Sequence, residues 1–105
     1  MTSTIEILKQ LGCSEWKNDK NERRMYFNNL SEWYGDLENI DVMQATEIKR
    51  ILRKMKIYYD VKTGKVTYNN YFRNDNDIMM AGYIFETIKK NIISKFKEVK
   101  ESIKI

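Results

Sequence analysis

The sequence predicts one α+β domain in which helices alternate with β-hairpins. Apolar residues recur at helical spacing in several segments, and two stretches with β-branched or aromatic residues flank polar turns. The chain has 105 residues with a hydrophobic content of 42%, enough for one modest core. We therefore expect a single domain over residues 1–105.

The N-terminal segment is predicted to form a short helix. Ser3 and Glu6 have the spacing of a capping box, Ile5, Leu8 and Leu11 lie on one helical face, and Gly12 follows. These signals place the first helix at about residues 4–11.

The segment over residues 14–28 has two interpretations. Asp19 and Glu22 could cap a helix over residues 20–34, or residues 15–28 could form a hairpin with a polar turn at residues 18–21. An apparent internal repeat favours the hairpin, because residues 5–29 and 49–70 align as two copies of a helix-plus-hairpin unit. Chance similarity in a chain rich in Lys, Asn and Ile is the alternative explanation of this repeat.

A second helical segment, residues 30–37, carries Leu30, Trp33, Tyr34 and Leu37 inward in either case. The tract over residues 32–41 contains four acidic residues and no basic one. We interpret this tract as a solvated helix face and loop, with a protein-binding surface as the alternative.

A basic helix over residues 43–56 and a hairpin over residues 57–71 form the centre of the chain. Ile48, Ile51, Leu52 and Met55 share one helical face. The β-branched and aromatic residues that follow favour strands, and Gly64 suits the tight turn between them.

The C-terminal third predicts a long helix over residues 77–103. Apolar residues recur there at near-heptad spacing. A helix over these residues would be about 40 Å long, at roughly 1.5 Å per residue, which exceeds the expected diameter of the rest of the domain. We therefore predict a homodimer through Ile88, Ile92, Phe96, Val99 and Ile103. The alternative is that this helix folds back as the central element of the domain's own core.

The distribution of charge gives the main indication of function. The net charge is +4, but residues 49–56 contain five basic side chains and no acidic one, and the hairpin tip adds two lysines. Lysine and arginine on one surface attract phosphates. The predicted nucleic-acid-binding residues are Lys49, Arg50, Arg53, Lys54, Lys62 and Lys65.

This basic helix followed by a basic-tipped hairpin resembles the second half of a winged helix-turn-helix. The resemblance implies a recognition helix in the major groove of duplex DNA and a wing over the backbone. A winged-helix-like arrangement is therefore the alternative fold. A hairpin at residues 15–28 gives αββααββα order instead, a different α+β fold.

If residues 15–28 form a hairpin, six aromatic residues lie on the two hairpins. Exposed aromatics there would suit a protein interface or stacking on single-stranded nucleic acid, and buried ones would belong to the core. The six are Trp16, Tyr26, Tyr58, Tyr59, Tyr68 and Tyr71.

Enzyme chemistry finds little support in the sequence. The chain has no histidine, no glycine-rich phosphate loop and one cysteine, Cys13, which follows a helix C-terminus where the dipole disfavours a thiolate. Acidic pairs such as Asp75 and Asp77 suit turns and helix caps. We expect no catalytic residue, no metal site and no cofactor.

The sequence therefore predicts a small non-enzymatic nucleic-acid-binding protein. We expect a dimeric DNA-binding regulator of a phage or other mobile element, with duplex DNA favoured over RNA. The alternative is a phage-type inhibitor, of the anti-defence or anti-CRISPR kind, that binds a host nucleic-acid enzyme. The single cysteine and the lack of long apolar runs predict a cytoplasmic protein without membrane contact.

Overall fold

The computed structural model describes residues 3–69 and 71–103, in the element order αββααββα. Its elements are α1 (Thr4–Gln10), β1 (Ser14–Lys17), β2 (Arg23–Tyr26), α2 (Leu30–Tyr34), α3 (Val42–Lys54), β3 (Ile57–Asp60), β4 (Lys65–Tyr68) and α4 (Asp75–Ile103). This order confirms the α+β prediction with its long C-terminal helix. Asn70, the last residue of the second predicted repeat unit, lies outside the described residues.

The two hairpins join into one antiparallel sheet with strand order β1-β2-β3-β4. The two central strands, β2 and β3, pair with Met25 opposite Tyr59 and Tyr26 opposite Tyr58. Residues 14–26 are therefore a hairpin, and the helix considered over residues 20–34 is wrong for residues 20–29. The winged-helix arrangement is not confirmed, because this hairpin stands where a winged helix would need a helical segment.

Side-chain hydrogen bonds explain why the first hairpin forms. The Asn18 side-chain oxygen accepts from the backbone N–H groups of Lys20 and Glu22 at 3.0 and 2.9 Å. Asn21 takes the left-handed conformation at φ 63°, which asparagine tolerates better than most residues. The Asn18 side chain thus gives these backbone N–H groups a hydrogen-bond partner that a helix would otherwise have provided through backbone carbonyls.

The second hairpin turn uses the same chemistry. The Asp60 carboxylate accepts from the backbone N–H groups of Lys62 and Thr63 at 2.9 and 3.3 Å. Gly64 has φ 71°, a conformation in which a Cβ would be strained. The predicted role of Gly64 is confirmed.

The helix ends follow from local capping. Ser3 accepts a hydrogen bond from the Glu6 backbone N–H at 3.2 Å, as the capping box predicts. Asp41 caps α3 by accepting from the Met43 N–H at 3.4 Å. Helix α2 ends before the predicted Leu37, because Gly35 leaves helical geometry at φ 118°.

Helix α4 packs across the helices of its own domain, contacting α1, α2 and α3. Ile88 is 0% exposed and Ile92 is 2% exposed, in one core cluster with Ile51 and Ile57. These two residues of the predicted dimer contact are therefore not available to a second copy while the domain is folded.

The other three residues of the predicted dimer contact lie farther along α4. Phe96 is partly buried against the core, Val99 is half-buried, and Ile103 is exposed. Dimerisation through this end of the helix stays a prediction.

An ion pair connects α3 to the start of α4. The Arg50 guanidinium donates to both carboxylate oxygens of Asp77, at 2.7 and 3.0 Å, and also to Glu47 at 2.8 Å. Asp77 is buried, and Asn74 accepts from its backbone N–H at 2.8 Å. The hydrogen bonds from Arg50 lower the pKa of Asp77 below its ordinary value.

Within residues 3–69 and 71–103, none of the helices combines the length and apolarity needed to span a lipid bilayer.

Ile51→Ala should lower the free energy of unfolding by about 2–5 kcal/mol, because it removes a fully buried side chain and leaves a cavity. Val42→Ala is the matched control, since Val42 is 79% exposed on the same helix, and it should change stability by no more than about 0.5 kcal/mol. Urea denaturation measures both. Similar losses in the two variants would contradict this assignment of the core.

Asp77→Asn should lower the melting temperature at neutral pH. The folded-state pKa of Asp77 lies below its unfolded value, so the ion pair stabilises the fold above pH ~4 and loses this effect as the pH falls through that range. The difference from the wild type should therefore shrink toward pH ~3. Asp19→Asn makes the same change at an exposed turn residue and should leave the melting curve unchanged. A pH-independent difference for Asp77→Asn would refute an electrostatic origin.

Candidate nucleic-acid interface

The sheet has one face in the core and one outside it, because side chains alternate along each strand. Met25 and Ile57 are 0% exposed on the inner face. Tyr59 and Val66 pack against the core from the same side, and the Tyr68 ring lies 4.5 Å from that of Phe85 on α4. Tyr59 and Tyr68 therefore belong to the core, which is one of the two roles that the sequence allowed for the hairpin aromatics.

The opposite face carries Trp16, Arg24, Tyr26 and Tyr58, and we call these four residues the aromatic sheet face. Trp16 pairs with Arg24 across β1 and β2, and Tyr26 pairs with Tyr58 across β2 and β3. Trp16 is 39% exposed, and none of the four belongs to the core cluster. Tyr71, by contrast, is exposed and lies outside the sheet.

Arg24 is the centre of this face. Its guanidinium carbon lies 5.1 Å from the ring centroid of Trp16 and 4.6 Å from that of Tyr58, within the range of cation–π attraction. It also donates to the Tyr26 hydroxyl at 3.3 Å, and this hydrogen bond raises the pKa of Arg24. The rings of Tyr26 and Tyr58 are 5.2 Å apart. The four side chains thus hold one another in place.

A cavity of about 490 Å³ adjoins this face, between α3 and residues 26–31. We call it the basic cleft, because Lys49, Arg53 and Lys56 line it and no acidic residue does. Tyr26 belongs to both the cleft and the aromatic sheet face. The two surfaces therefore share this one residue.

Helical spacing divides the basic residues of α3 into two stripes. Lys49 and Arg53 are four residues apart and line the cleft together. Arg50 lies on the neighbouring stripe, where Asp77 and Glu47 neutralise it. Lys54 lies on the same stripe as Arg50 and acts electrostatically on Asp77. Two of the four predicted residues of α3 thus line the cleft, and Arg50 serves the fold instead.

The two predicted hairpin-tip lysines do not join the basic cleft. Lys62 is exposed in the turn. Lys65 lines a second cavity, which shares no lining residue with the first. The structure therefore does not gather the six predicted residues into one site.

Arg24 and Lys56 are not among the binding residues that the sequence predicts. Arg24 carried a detectable signal, because the favoured hairpin pairs residue 16 with residue 24 when the turn is centred on residues 18–22. Lys56 was counted among the basic residues, but nothing in the local sequence places it beside Tyr26.

The acidic tract over residues 32–41 serves local structure. Asp36 accepts from the Glu38 backbone N–H at 3.0 Å and also bonds the Asn39 side chain. Asp41 caps α3.

Across residues 3–69 and 71–103, no three His, Cys, Asp or Glu side chains are grouped as a metal ion would require.

Cys13 should react slowly with iodoacetamide in the native protein. Burial raises the pKa of its thiol from 9.0 to about 12. Because the thiolate fraction falls about tenfold for each pH unit below the pKa, native Cys13 should have roughly a thousandfold less thiolate than an ordinary cysteine near pH 8. Mass spectrometry of timed samples with and without urea measures this, and equal rates would show that Cys13 is exposed and reactive.

No protein-family model matches this chain, and no curated protein or solved structure is significantly similar to it.

Proposed function

We propose that this protein binds single-stranded nucleic acid, with unpaired bases on the aromatic sheet face and phosphates in the basic cleft. The observation that carries the proposal is the position of Tyr26, which belongs to both surfaces. A strand that stacks on the sheet can therefore reach the cations without leaving the protein.

The aromatic sheet face supplies the surface on which bases stack. Stacking of a base on an aromatic side chain contributes about 1–3 kcal/mol and tolerates any base, because every base has a π-face. Trp16 and Tyr58 flank Arg24 on adjacent strands, and a guanidinium plane can also stack on a base. Because the rings are already held in place, binding orders few side chains and costs little entropy.

The basic cleft supplies the attraction to phosphate. Among the salt bridges of residues 3–69 and 71–103, none involves Lys49, Arg53 or Lys56. All three side chains are exposed. Each phosphate that they neutralise releases counterions, so the affinity should fall with salt.

Single strands fit this surface better than duplex DNA. The faces of paired bases are stacked inside a duplex and cannot lie on a sheet. A recognition helix in a major groove would use Arg50, which is bound to Asp77 and Glu47. The hairpin-tip Lys65 opens onto a different cavity from Lys49 and Arg53.

A protein partner is the second candidate for the same face. Trp, Tyr and Arg are the residues that dominate the energetics of protein interfaces, and the aromatic sheet face consists of these three types. An inhibitor that binds a host nucleic-acid enzyme would use the same four side chains. It would not need the basic cleft, whose proposed role is to bind phosphates.

Fluorescence anisotropy with a labelled oligothymidylate of about 12 nucleotides, within the roughly 4–16 nucleotides of comparable sites, should show salt-dependent binding. Trp16→Leu and Tyr58→Leu should each weaken it about 5- to 150-fold, the equivalent of one lost stack. Lys49→Gln combined with Arg53→Gln should reduce the salt slope by about 1.4, at roughly 0.7 for each phosphate contact.

Tyr83→Leu is the matched control, because Tyr83 is 70% exposed on α4 and belongs neither to the aromatic sheet face nor to the basic cleft. It should leave the affinity unchanged. Equal or tighter binding of a duplex of the same length would favour the helix-in-groove hypothesis over this one. No binding at low salt would reject nucleic acid and leave the protein-partner hypothesis.

A further inference from the structure

A second cavity, of about 750 Å³, lies between α1, the β3–β4 hairpin and the second half of α4. Its floor is apolar and includes Leu8, Ile92 and Phe96. Four lysines line it and no acidic residue does, so we call it the lysine-rimmed groove. These lysines are Lys65, Lys89, Lys97 and Lys100.

The charge of this groove is not balanced by the chain itself. Among the salt bridges of residues 3–69 and 71–103, none involves any of the four lysines. The Lys89 ammonium lies 5.7 Å from the ring centroid of Phe85, within the range of cation–π attraction. Like charges grouped in this way repel one another, and an anion between them removes that repulsion.

The apolar floor indicates that a ligand of this groove has an apolar part as well as an anionic group. Ile93 is 53% exposed, and Val66 and Phe96 are half-buried, so the floor presents apolar surface to solvent. A chain of methylenes that lies on this surface removes it from water, which is favourable. A nucleic-acid backbone has no comparable apolar surface to bury.

We propose that the lysine-rimmed groove binds a single-chain amphiphile with an anionic head group, a carboxylate or a phosphate monoester. The chain lies on the floor and the head group lies among the lysines. The volume falls within the roughly 300–1,000 Å³ of small-molecule sites. The segment of α4 from Lys89 to Lys100 spans about 16 Å, at roughly 1.5 Å per residue, which accommodates a medium-length acyl chain.

Isothermal titration calorimetry of the full chain with dodecyl phosphate and with laurate, below the concentrations at which they form micelles, tests this proposal. We expect saturable binding of one molecule per chain. Removing two carbons from the ligand should weaken binding roughly tenfold. Inorganic phosphate alone should not bind measurably, and neither should the uncharged dodecyl maltoside.

Lys97→Glu combined with Lys100→Glu should weaken dodecyl phosphate at least tenfold. Lys90→Glu combined with Lys95→Glu makes the same change of charge on the same helix, outside the groove, and should leave the affinity unchanged. Thermal unfolding of both double variants establishes that they fold. If both lose binding equally, the effect is one of net charge and the proposed site is wrong.

Three further results would overturn the proposal. They are many weakly bound molecules per chain with no dependence on chain length, displacement of dodecyl phosphate by oligothymidylate, and a dimer by light scattering that excess dodecyl phosphate leaves unchanged. The last would mean that a second copy, and not an amphiphile, fills the groove. Trp16→Leu and Tyr58→Leu should not affect dodecyl phosphate binding, so this proposal and that for nucleic acid can fail separately.

Discussion

The register of the four-stranded sheet is the constraint on which the surface of this protein depends. Met25 and Ile57 have no exposed area, so the residues next to them in each strand must face the other way. A slip of one residue would exchange the two faces and bury Arg24. The turns built by Asn18 and Asp60 oppose such a slip, because their side chains fix the loop lengths. The aromatic sheet face is thus a consequence of core packing.

The ion pair between Arg50 and Asp77 has a comparable effect on α3. By connecting one basic stripe of the helix to the start of α4, it leaves the next stripe, with Lys49 and Arg53, at the cleft. A buried carboxylate without its partner would be costly, which explains why an arginine occupies this position in a segment otherwise suited to binding phosphate. The helical period therefore separates an arginine that binds within the fold from the basic side chains that line the cleft.

The sequence predicted the elements better than it predicted the site. Most helices and the second hairpin have local signals, such as the apolar face of α3 and the turn at Gly64, and these predicted them. The local signals of residues 14–28 allowed both a helix and a hairpin, and an apparent internal repeat favoured the hairpin. The partner of Arg50 lies 27 residues away, and no local pattern reveals it. The apolar seam of α4 is ambiguous for a similar reason, because Ile88 and Ile92 would look the same whether they met a second copy or their own core. The pairing of the two hairpins also determines which aromatics are exposed, and it is a long-range property.

The net charge of +4 does not show where the charged side chains lie or what they bind. Several acidic side chains are engaged inside the chain: Asp41 caps a helix, Asp60 closes a turn, Asp77 binds Arg50, and Glu15 binds Arg23. A carboxylate with such partners attracts distant cations less than a free one does. The lysines of the basic cleft and of the lysine-rimmed groove have no such partner among the described salt bridges. Since electrostatic potential is a local property and does not follow from the sum of charges, a nearly balanced composition still gives two separate groups of basic side chains, one next to an aromatic residue and one with an apolar floor.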